Sequence, residues 1–454
     1  MSDPVIPADL PLPLPLPEGV LAVLLVLLFV IHIAFVNLML GGSLIALVCE
    51  LLGLRDERYD RLAHQIAKTI TVTKSLAVVL GVGPLLAINL LYTVPFYSAN
   101  RATGSLWMLV VPLTALAFLL TYAHKYSWEA LRRHKALHIA IGAGAAGLLL
   151  VIPLIFLVQV VLMLHPEHWA TIQDRGMLHA LLLDSLIPRW LHVVLSAVAA
   201  TGLFLVWWLT RPRFDLAAHL PGETRAGLRR RFYTIALVAS AAQFLIGPLV
   251  LMTLPSRGIS ASMLLHIGLG VACAAVALGW LWREIRRADS DMADPVRADG
   301  PLGRRFWGIA ALLGLTVVMM ATGRQLYRAE MLRPFNAQVA QRTAEKQALS
   351  AHYRAHPAPA AEEDPLATIP GYGAFQKSCM SCHAIDSPLV GPSVVEMHRL
   401  YGDDEAALVA WVRTVQNPKA VRPGSPPMPA FGPGQIDDAT LKAIAGFIRQ
   451  AGTP

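Results

Sequence analysis

Eight stretches of this chain run for about 20 residues or more with almost no charge, at roughly 19–53, 65–94, 104–127, 136–164, 187–210, 230–254, 260–284 and 305–327. A helix of about 20 apolar residues crosses the hydrocarbon core of a bilayer. No water is present there to satisfy an exposed backbone, so each stretch has to be helical. Composition agrees: 55% of the 454 residues are hydrophobic and 15% charged, against about 25% charged in soluble domains. An ordinary cytoplasmic enzyme and an extended disordered scaffold are both excluded. The first stretch exceeds the bilayer thickness at about 1.5 Å per residue and is expected to project by two or three turns. Ahead of it, Leu10 to Pro17 alternates leucine and proline, which favours a polyproline-type lead-in over 1–18. No cleavable signal peptide is expected, because there is no basic n-region and no small-residue cleavage site.

A net charge of +8 would suit a nucleic-acid binder, but the basic residues lie in short loops between apolar runs, where membrane topology explains them. No nucleic-acid partner is expected. Arg55, Arg58 and Arg61 follow the first span; Lys125, Arg132, Arg133 and Lys135 follow the third. Arg211, Arg213, Arg225, Arg229, Arg230 and Arg231 follow the fifth, and Arg283, Arg286, Arg287, Arg297, Arg304 and Arg305 the seventh. No Lys or Arg precedes the first span. The positive-inside rule places these four loops in the cytoplasm and the N-terminus outside. Eight spans return the chain to the outer side after Tyr327, as a multi-pass protein of the cytoplasmic (inner) membrane. Residues 328–356 are polar, with Met331, Leu332, Phe335 and Val339 at helical spacing. The stretch from His356 to Pro365 reads as a semi-rigid linker. The expected organisation is a lead over 1–18, a helix bundle over 19–327, a helical and Pro-rich linker over 328–365 and a small all-α domain over 366–454. No internal repeat is apparent.

Of four cysteines, Cys49 and Cys273 lie in apolar runs and are expected to pack there. Cys379-Met-Ser-Cys382-His383 is the attachment signature for c-type haem. Two thiols add to the vinyl groups of one covalent haem c, and His383 supplies an axial nitrogen. A thioredoxin-like centre would need a βαβ context, and a zinc site would need a second ligand pair; neither is present. The sixth ligand is assigned to Met428, within Pro426-Pro427-Met428-Pro429, whose thioether raises the reduction potential. Met397 and His398 compete but fall on an expected helix. Residues 370–452 resemble a class I cytochrome c, with Gly373 and Phe375 in its first helix and Leu441, Ile444, Phe447 and Ile448 in the last, which packs across it. Such domains are assembled outside the cytoplasmic membrane, in agreement with the charge-derived topology.

Ionisable residues within spans are costly and usually functional. Three histidines lie deep: His32 in the first span, His192 in the fifth and His266 in the seventh. His192 and His266 sit at similar depth near the outer side, as a bis-histidine b haem requires; the plainer alternative is a pair of core histidines bonded to backbone. His32, in Ile31-His-Ile-Ala-Phe-Val-Asn-Leu-Met-Leu-Gly-Gly42, would ligate a second haem alone or bond a neighbouring helix. His64, His124, His134 and His138 are expected at the cytoplasmic interface. His165, His168 and His179 are expected to be solvated in the outer loop after the fourth span, and Met319 and Met320 to pack.

These segments, in order along residues 20–327, resemble subunit I of the cytochrome bd quinol oxidases. The context of His32 is similar to that of the family's axial histidine for the high-spin haem d. Gly81-Val-Gly-Pro-Leu-Leu resembles the glycine-rich second span, and Tyr126-Ser-Trp-Glu-Ala-Leu131 the end of the third. Trp190-Leu-His192 resembles the segment carrying the low-spin b haem histidine. Leu264-Leu-His-Ile-Gly-Leu-Gly270 resembles the segment of the opposite, methionine ligand, with His266 at that position. Thr322-Gly-Arg-Gln325 resembles the family's GRQ motif, which makes Arg324 a candidate partner of haem propionates. The departures are equally informative. Ala321 stands where the family has a glutamate ligand, and Leu109 and Ala117 replace acidic residues linked to proton delivery. The long loop that forms the family's quinol site shrinks to about Pro255–Ser260, and a cytochrome c replaces the ninth span.

The leading expectation is a membrane-bound b–c type cytochrome of a respiratory chain. Its cofactors would be one covalent haem c and one or two haems b, with the carboxylate-stripped pocket arguing against haem d. Its partners would be the lipid bilayer and a redox protein or further membrane subunit. The alternative is a cytochrome c-fed bd-like terminal oxidase or small-molecule reductase, with a high-spin haem at His32. A mere membrane anchor would not need buried histidines on three separate spans.

Overall fold

The computed structural model describes residues 14–175, 177–355, 364–416 and 427–453, with side chains at 71–74, 173–178, 295 and 353 left aside. Most of the lead-in, most of the Pro-rich linker and Pro426 thus lie outside the described residues. The protein is 80% helical, and no strand occurs among the described residues. In chain order the helices are α1 Glu18–Gly53, α2 Glu57–Leu91, α3 Thr93–Ala102, α4 Gly104–Met108, α5 Val110–Tyr126, α6 Lys135–Met163 and α7 Trp169–Arg175. There follow α8 Leu186–Thr210, α9 Leu216–His219, α10 Arg225–Met252, α11 Ala261–Met292, α12 Pro295–Ala298 and α13 Arg304–Ala355. Last come α14 Tyr372–Ser378, α15 Val394–Tyr401, α16 Glu405–Thr414 and α17 Asp438–Ala451.

Seven helical segments among the described residues are long and apolar enough to cross a membrane: α1, α4 with α5, α6, α8, α10, α11 and α13. Helix α2 makes an eighth if its halves Glu57–Ile70 and Ser75–Leu91, bent by 45°, count as one span. Several spans begin where a side chain satisfies the free amides of the first turn. Asp56 accepts from the Arg58 amide at 3.0 Å, Thr224 from Gly227 at 3.1 Å and Ser260 from Met263 at 3.2 Å. The most apolar windows of α6 and α8 are 50% buried, whereas those of α1 and α4–α5 are 11% buried. Their outer faces carry side chains such as Val111, 74% exposed, and α10 carries Leu245, 76% exposed. Apolar surface this continuous suits lipid, not water.

The chain divides into two compact units, Met1–Ala344 and Glu345–Pro454. In the first, α1 packs along α2, α6 and α8; α10 packs against both α8 and α11; and α5 lies on α6. Small residues allow the closest approaches, as is usual between membrane helices. A Cβ on Gly41 would lie 2.1 Å from the Ala197 carbonyl oxygen on α8, and one on Gly42 2.7 Å from Ile70 on α2. One apolar cluster gathers Ile45, Leu62, Trp128, Leu209, Phe232 and Leu281 towards the arginine-rich loops. A second, at the other end, gathers Tyr92, Leu162, Trp169, Leu186, Tyr327, Leu332 and Phe335. The stretch after Tyr327, read from sequence as the start of a linker, therefore continues the helix and buries Met331, Leu332 and Phe335.

In the second unit, α14 to α17 surround a core of Phe375, Val394, Leu408, Leu441, Ile444, Phe447 and Ile448. The rings of Phe375 and Phe447 pack tilted to one another, 5.0 Å between centroids. The crossing of α14 and α17 turns on Gly371: at φ 93° it occupies the left-handed region open to glycine, and a Cβ there would lie 2.0 Å from the Ala443 carbonyl oxygen. Gly373, the glycine singled out in the sequence, has open space around it.

Candidate functional site

Helix α14 ends at Ser378, and the next turn carries Cys379, Cys382 and His383. The His383 amide bonds the Cys379 carbonyl at 2.9 Å and the Cys382 amide bonds it at 3.0 Å, so the motif closes on itself. The ring of His383 is 8% exposed. Its Nδ1 donates to the Pro392 carbonyl at 2.8 Å, which fixes the tautomer and leaves Nε2 as a free lone pair. A second ring nitrogen tied to backbone carbonyl is the usual orienting device for a metal-ligating histidine. Gly391 lies flush against this ring: a Cβ there would be 2.2 Å from Cε1.

Cys379, His383 and Met428 line one cleft, with Phe375, Trp411, Leu441 and Ile444 among its apolar walls. The chain after Met428 is tied to α16, since the Phe431 amide bonds the Val412 carbonyl at 3.1 Å and the Arg413 guanidinium bonds the Phe431 carbonyl at 2.8 Å. Met397 also lines the cleft, on α15 as expected, while His398 has its Cβ packed near Gly452. Burial, with Cys382 beside it, pushes the Cys379 thiol up to about 11. It therefore lacks the low-lying thiolate on which a CxxC redox centre depends. An apolar slot with the Cys379 thiol, the His383 ring and the Met428 thioether in its lining, and the exposed Cys382 three residues after Cys379, fits a covalent haem.

The membrane histidines lie on separate helices. His192, on α8, has Nδ1 buried without a hydrogen-bond partner. The Gln243 carboxamide beside it donates instead to the His192 carbonyl at 3.0 Å and the Ser196 hydroxyl at 2.8 Å. His266, on α11, bonds the Ser262 carbonyl through Nδ1 at 2.7 Å, which leaves Nε2 free. Helices α8 and α11 both flank α10, and no ring contact joins the two imidazoles among the described residues. His32 donates from Nδ1 to the Ala77 carbonyl at 2.8 Å, and Gly81 approaches it so closely that a Cβ would be 2.9 Å from Cε1.

Arg324 lies between two of these helices. Its guanidinium sits 4.9 Å from the Phe29 ring, one turn before His32 on α1. The neighbouring Gly323 faces His266, whose Cβ would be 3.8 Å from a Cβ placed there. Arg189 and Arg328 are close enough for their charges to act on Arg324. Among the described residues none of the three has an acidic partner, and the Nε atoms of Arg189 and Arg328 are buried and unbonded. Arg328 is buried and the other two are half-buried; such cations without a carboxylate partner call for an anion, and carboxylates of a bound haem are of the right kind. Of the substituted positions, Ala321 and Ala117 are buried, and Leu109 sits at the break between α4 and α5. Met319 and Met320 pack against Gly270 of α11.

Two groups go beyond the sequence reading. His124 and His138, in the last turn of α5 and the first turn of α6, are buried within the protein, and both bond Glu50. Glu50 was passed over because it lies in the penultimate turn of a long apolar run, where an interfacial carboxylate is unremarked; an acid within a span was the signal. His165, expected to be solvated, has a side chain only 12% exposed and bonds Glu167 at 3.1 Å. Burial alone would raise the Glu167 carboxyl, but that hydrogen bond and the charge of Arg257 at 2.7 Å hold it at about 2.

Residues 367–448 match the family model described as Cytochrome C oxidase, cbb3-type, subunit III. No curated protein is matched by the chain. The C-terminal unit is thus a cytochrome c domain, which implies a covalent haem c and an extracytoplasmic location for that domain. The chain is a multi-pass membrane protein with a cytochrome c domain fused to the C-terminal end of its helix bundle.

Proposed function

We propose that this protein is a b–c type cytochrome of the cytoplasmic membrane, moving electrons between an outer c haem and one or two b haems in its bundle. Haem bound at each site supplies reversible one-electron chemistry. The chain's own residues place and tune it. Cys379 and Cys382 anchor the c haem, His383 holds one axial position through Nε2, and Met428 offers the other, a pairing that raises the potential relative to two histidines. His192 and His266 are the b-haem ligands in this reading, and Arg324, with Arg189 and Arg328 near it, neutralises propionates. The arginine-rich loops lie in the cytoplasm, and the partner is a redox protein or further membrane subunit on the outer side.

The observation that carries this reading is His266 on α11, whose Nδ1 is tied to the Ser262 carbonyl at 2.7 Å so that Nε2 is left free, with His192 on α8, which packs with α11 against α10. A ring held by backbone through one nitrogen is oriented to ligate a metal through the other. Pyridine haemochrome analysis of the purified full-length protein tests it. The expected result is haem c and haem b together, at one c to one or two b; haem c alone would reduce the bundle to an anchor.

A second reading rests on His32. Backbone bonding of its Nδ1 and the contact with Gly81 orient its ring as a ligand's would be. In that case the protein is a bd-like terminal oxidase or small-molecule reductase fed by its own cytochrome c domain. Carbon monoxide binding that disappears in His32→Ala, with sustained cyanide-sensitive oxygen consumption, would favour it over the first.

A further inference from the structure

At the end of the bundle facing the arginine-rich loops, four elements close on one carboxylate. Glu50 of α1 is wholly buried. Its Oε2 accepts from Nε2 of His124 on α5 at 2.7 Å. Its Oε1 accepts from the Lys135 ammonium at the start of α6 at 2.8 Å and also pairs with Nδ1 of His138 on α6. From α2, Asp60 pairs with Lys135 and accepts the Trp128 indole N–H at 3.2 Å. The Trp128 ring stacks on His64 at 4.6 Å, and Lys68 is the remaining charge within reach of that histidine. Packing leaves little freedom: a Cβ on Gly142 would lie 2.7 Å from His124 Nε2.

The hydrogen count at His138 follows from its partners. Nε2 faces the His124 carbonyl oxygen at 2.8 Å, and a carbonyl only accepts, so Nε2 carries a proton. The contact between Nδ1 and Glu50 Oε1 then needs one further proton between them. Because the Lys135 ammonium donates to that same oxygen, the carboxylate is the ionised partner and the proton rests on Nδ1. This count puts a hydrogen on each ring nitrogen of His138, while His124 donates through Nε2. Glu50 and Asp60 contribute two negative charges, Lys135 and His138 two positive, so the buried group is neutral only with this proton in place. A neutral, fully bonded set is the form in which charges tolerate burial.

We propose that Glu50, His124 and His138 form a proton-binding site of the membrane unit, loaded from water through Lys135 and Asp60. The side chains of those two are 22% and 24% exposed and in contact with each other, whereas Glu50 and His138 are sealed. The proton passes from water to Asp60; Lys135 gives one of its own protons to Glu50 Oε1 and takes its replacement from Asp60, and Glu50 hands the proton to His138 Nδ1, with release in the reverse order. Glu50, His124 and His138 do offer three ligand atoms within 4.8 Å of one another. A divalent ion there would have to expel the Lys135 ammonium and the His138 hydrogen from Oε1 and the His124 hydrogen from Oε2, contacts that are all made in this structure, so the arrangement favours the proton. None of these residues takes part in the haem assignments above.

Full-length protein carrying histidine labelled with the heavy nitrogen isotope, read by NMR at a pH where exposed histidines are neutral, tests the site directly. The expected spectrum contains one histidine protonated on both ring nitrogens, lost in His138→Gln and in Glu50→Gln. Asp60→Asn, at the exposed rim, slows exchange of that proton with water. A folded wild-type protein without a doubly protonated ring overturns the site, and unchanged exchange in Asp60→Asn overturns the route. One divalent metal per chain by elemental analysis, lost in Glu50→Gln, would replace the proton with an ion and overturn the proposal.

Discussion

In the proposed reading, the two units hold haem in opposite ways. In the cytochrome c unit the anchoring thiols and an axial nitrogen lie within one turn, from Cys379 to His383, and the cleft forms around that turn. In the membrane unit each candidate ligand sits on its own helix: His32 on α1, His192 on α8 and His266 on α11. Covalent attachment lets a small domain fix its haem through local geometry, whereas a bundle must align separate helices to present ligands from different sides. The difference teaches where each unit is fragile. A single local substitution should disable the first, and only loss of a distant ligand should disable the second.

The largest contrast is expected from Cys382→Ala. Haem stain that survives denaturing electrophoresis in the wild type should vanish, while the b spectrum of the bundle stays. Stain persisting in the variant would remove Cys382 from the covalent site. Gly391→Ala comes next. The added methyl falls 2.2 Å from His383 Cε1, and overpacking of this kind costs about 1–3 kcal/mol. Thermal melts followed at the c band should shift downward with an altered axial ligand field, and b absorbance should not move. An unaltered c spectrum would mean that Gly391 does not set the position of His383.

A smaller effect belongs to Glu167, whose carboxyl is held at about 2 against an ordinary 4.5. A depressed value means that its pairing stabilises the fold above about 4.5 and is lost as pH falls towards 2. At neutral pH Glu167→Gln should lower stability by less than about 1 kcal/mol, because Arg257 is partly exposed. Acid titration of thermal stability should lose its step over that window in the variant; an identical profile would show the pair to be energetically silent. The smallest effect should come from Ser256→Ala and Arg257→Ala in a quinol assay. The loop between α10 and α11 spans residues 253–260, and Gly258 is pressed against the Tyr327 ring, which leaves no room for a folded quinol pocket. Rapid haem reduction by a quinol analogue, abolished by these changes, would contradict that.

Much of this was legible in the sequence, and the limits have physical reasons. Runs of apolar residues mark spans because lipid imposes length and polarity, and a CxxCH turn marks haem because attachment is local. Gly371 was not legible as the crossing glycine, since its role depends on Ala443 in another helix; Gly373 looked equivalent. Nor was Glu50. Its partners His124 and His138 lie 74 and 88 residues away, and only helix packing brings an acid and two imidazoles together. Likewise Met331 and Phe335 read as a polar helix's stripe, because the surface covering them comes from α6 and α7.

The central claim is that the bundle is a redox unit and not an anchor, and reduced-minus-oxidised spectra of His192→Ala and His266→Ala, purified as full-length protein, test it most directly. The account predicts that either substitution abolishes the sharp reduced α-band of haem b and leaves the c band at wild-type height. An unchanged b spectrum in both variants would contradict it and make the two histidines structural.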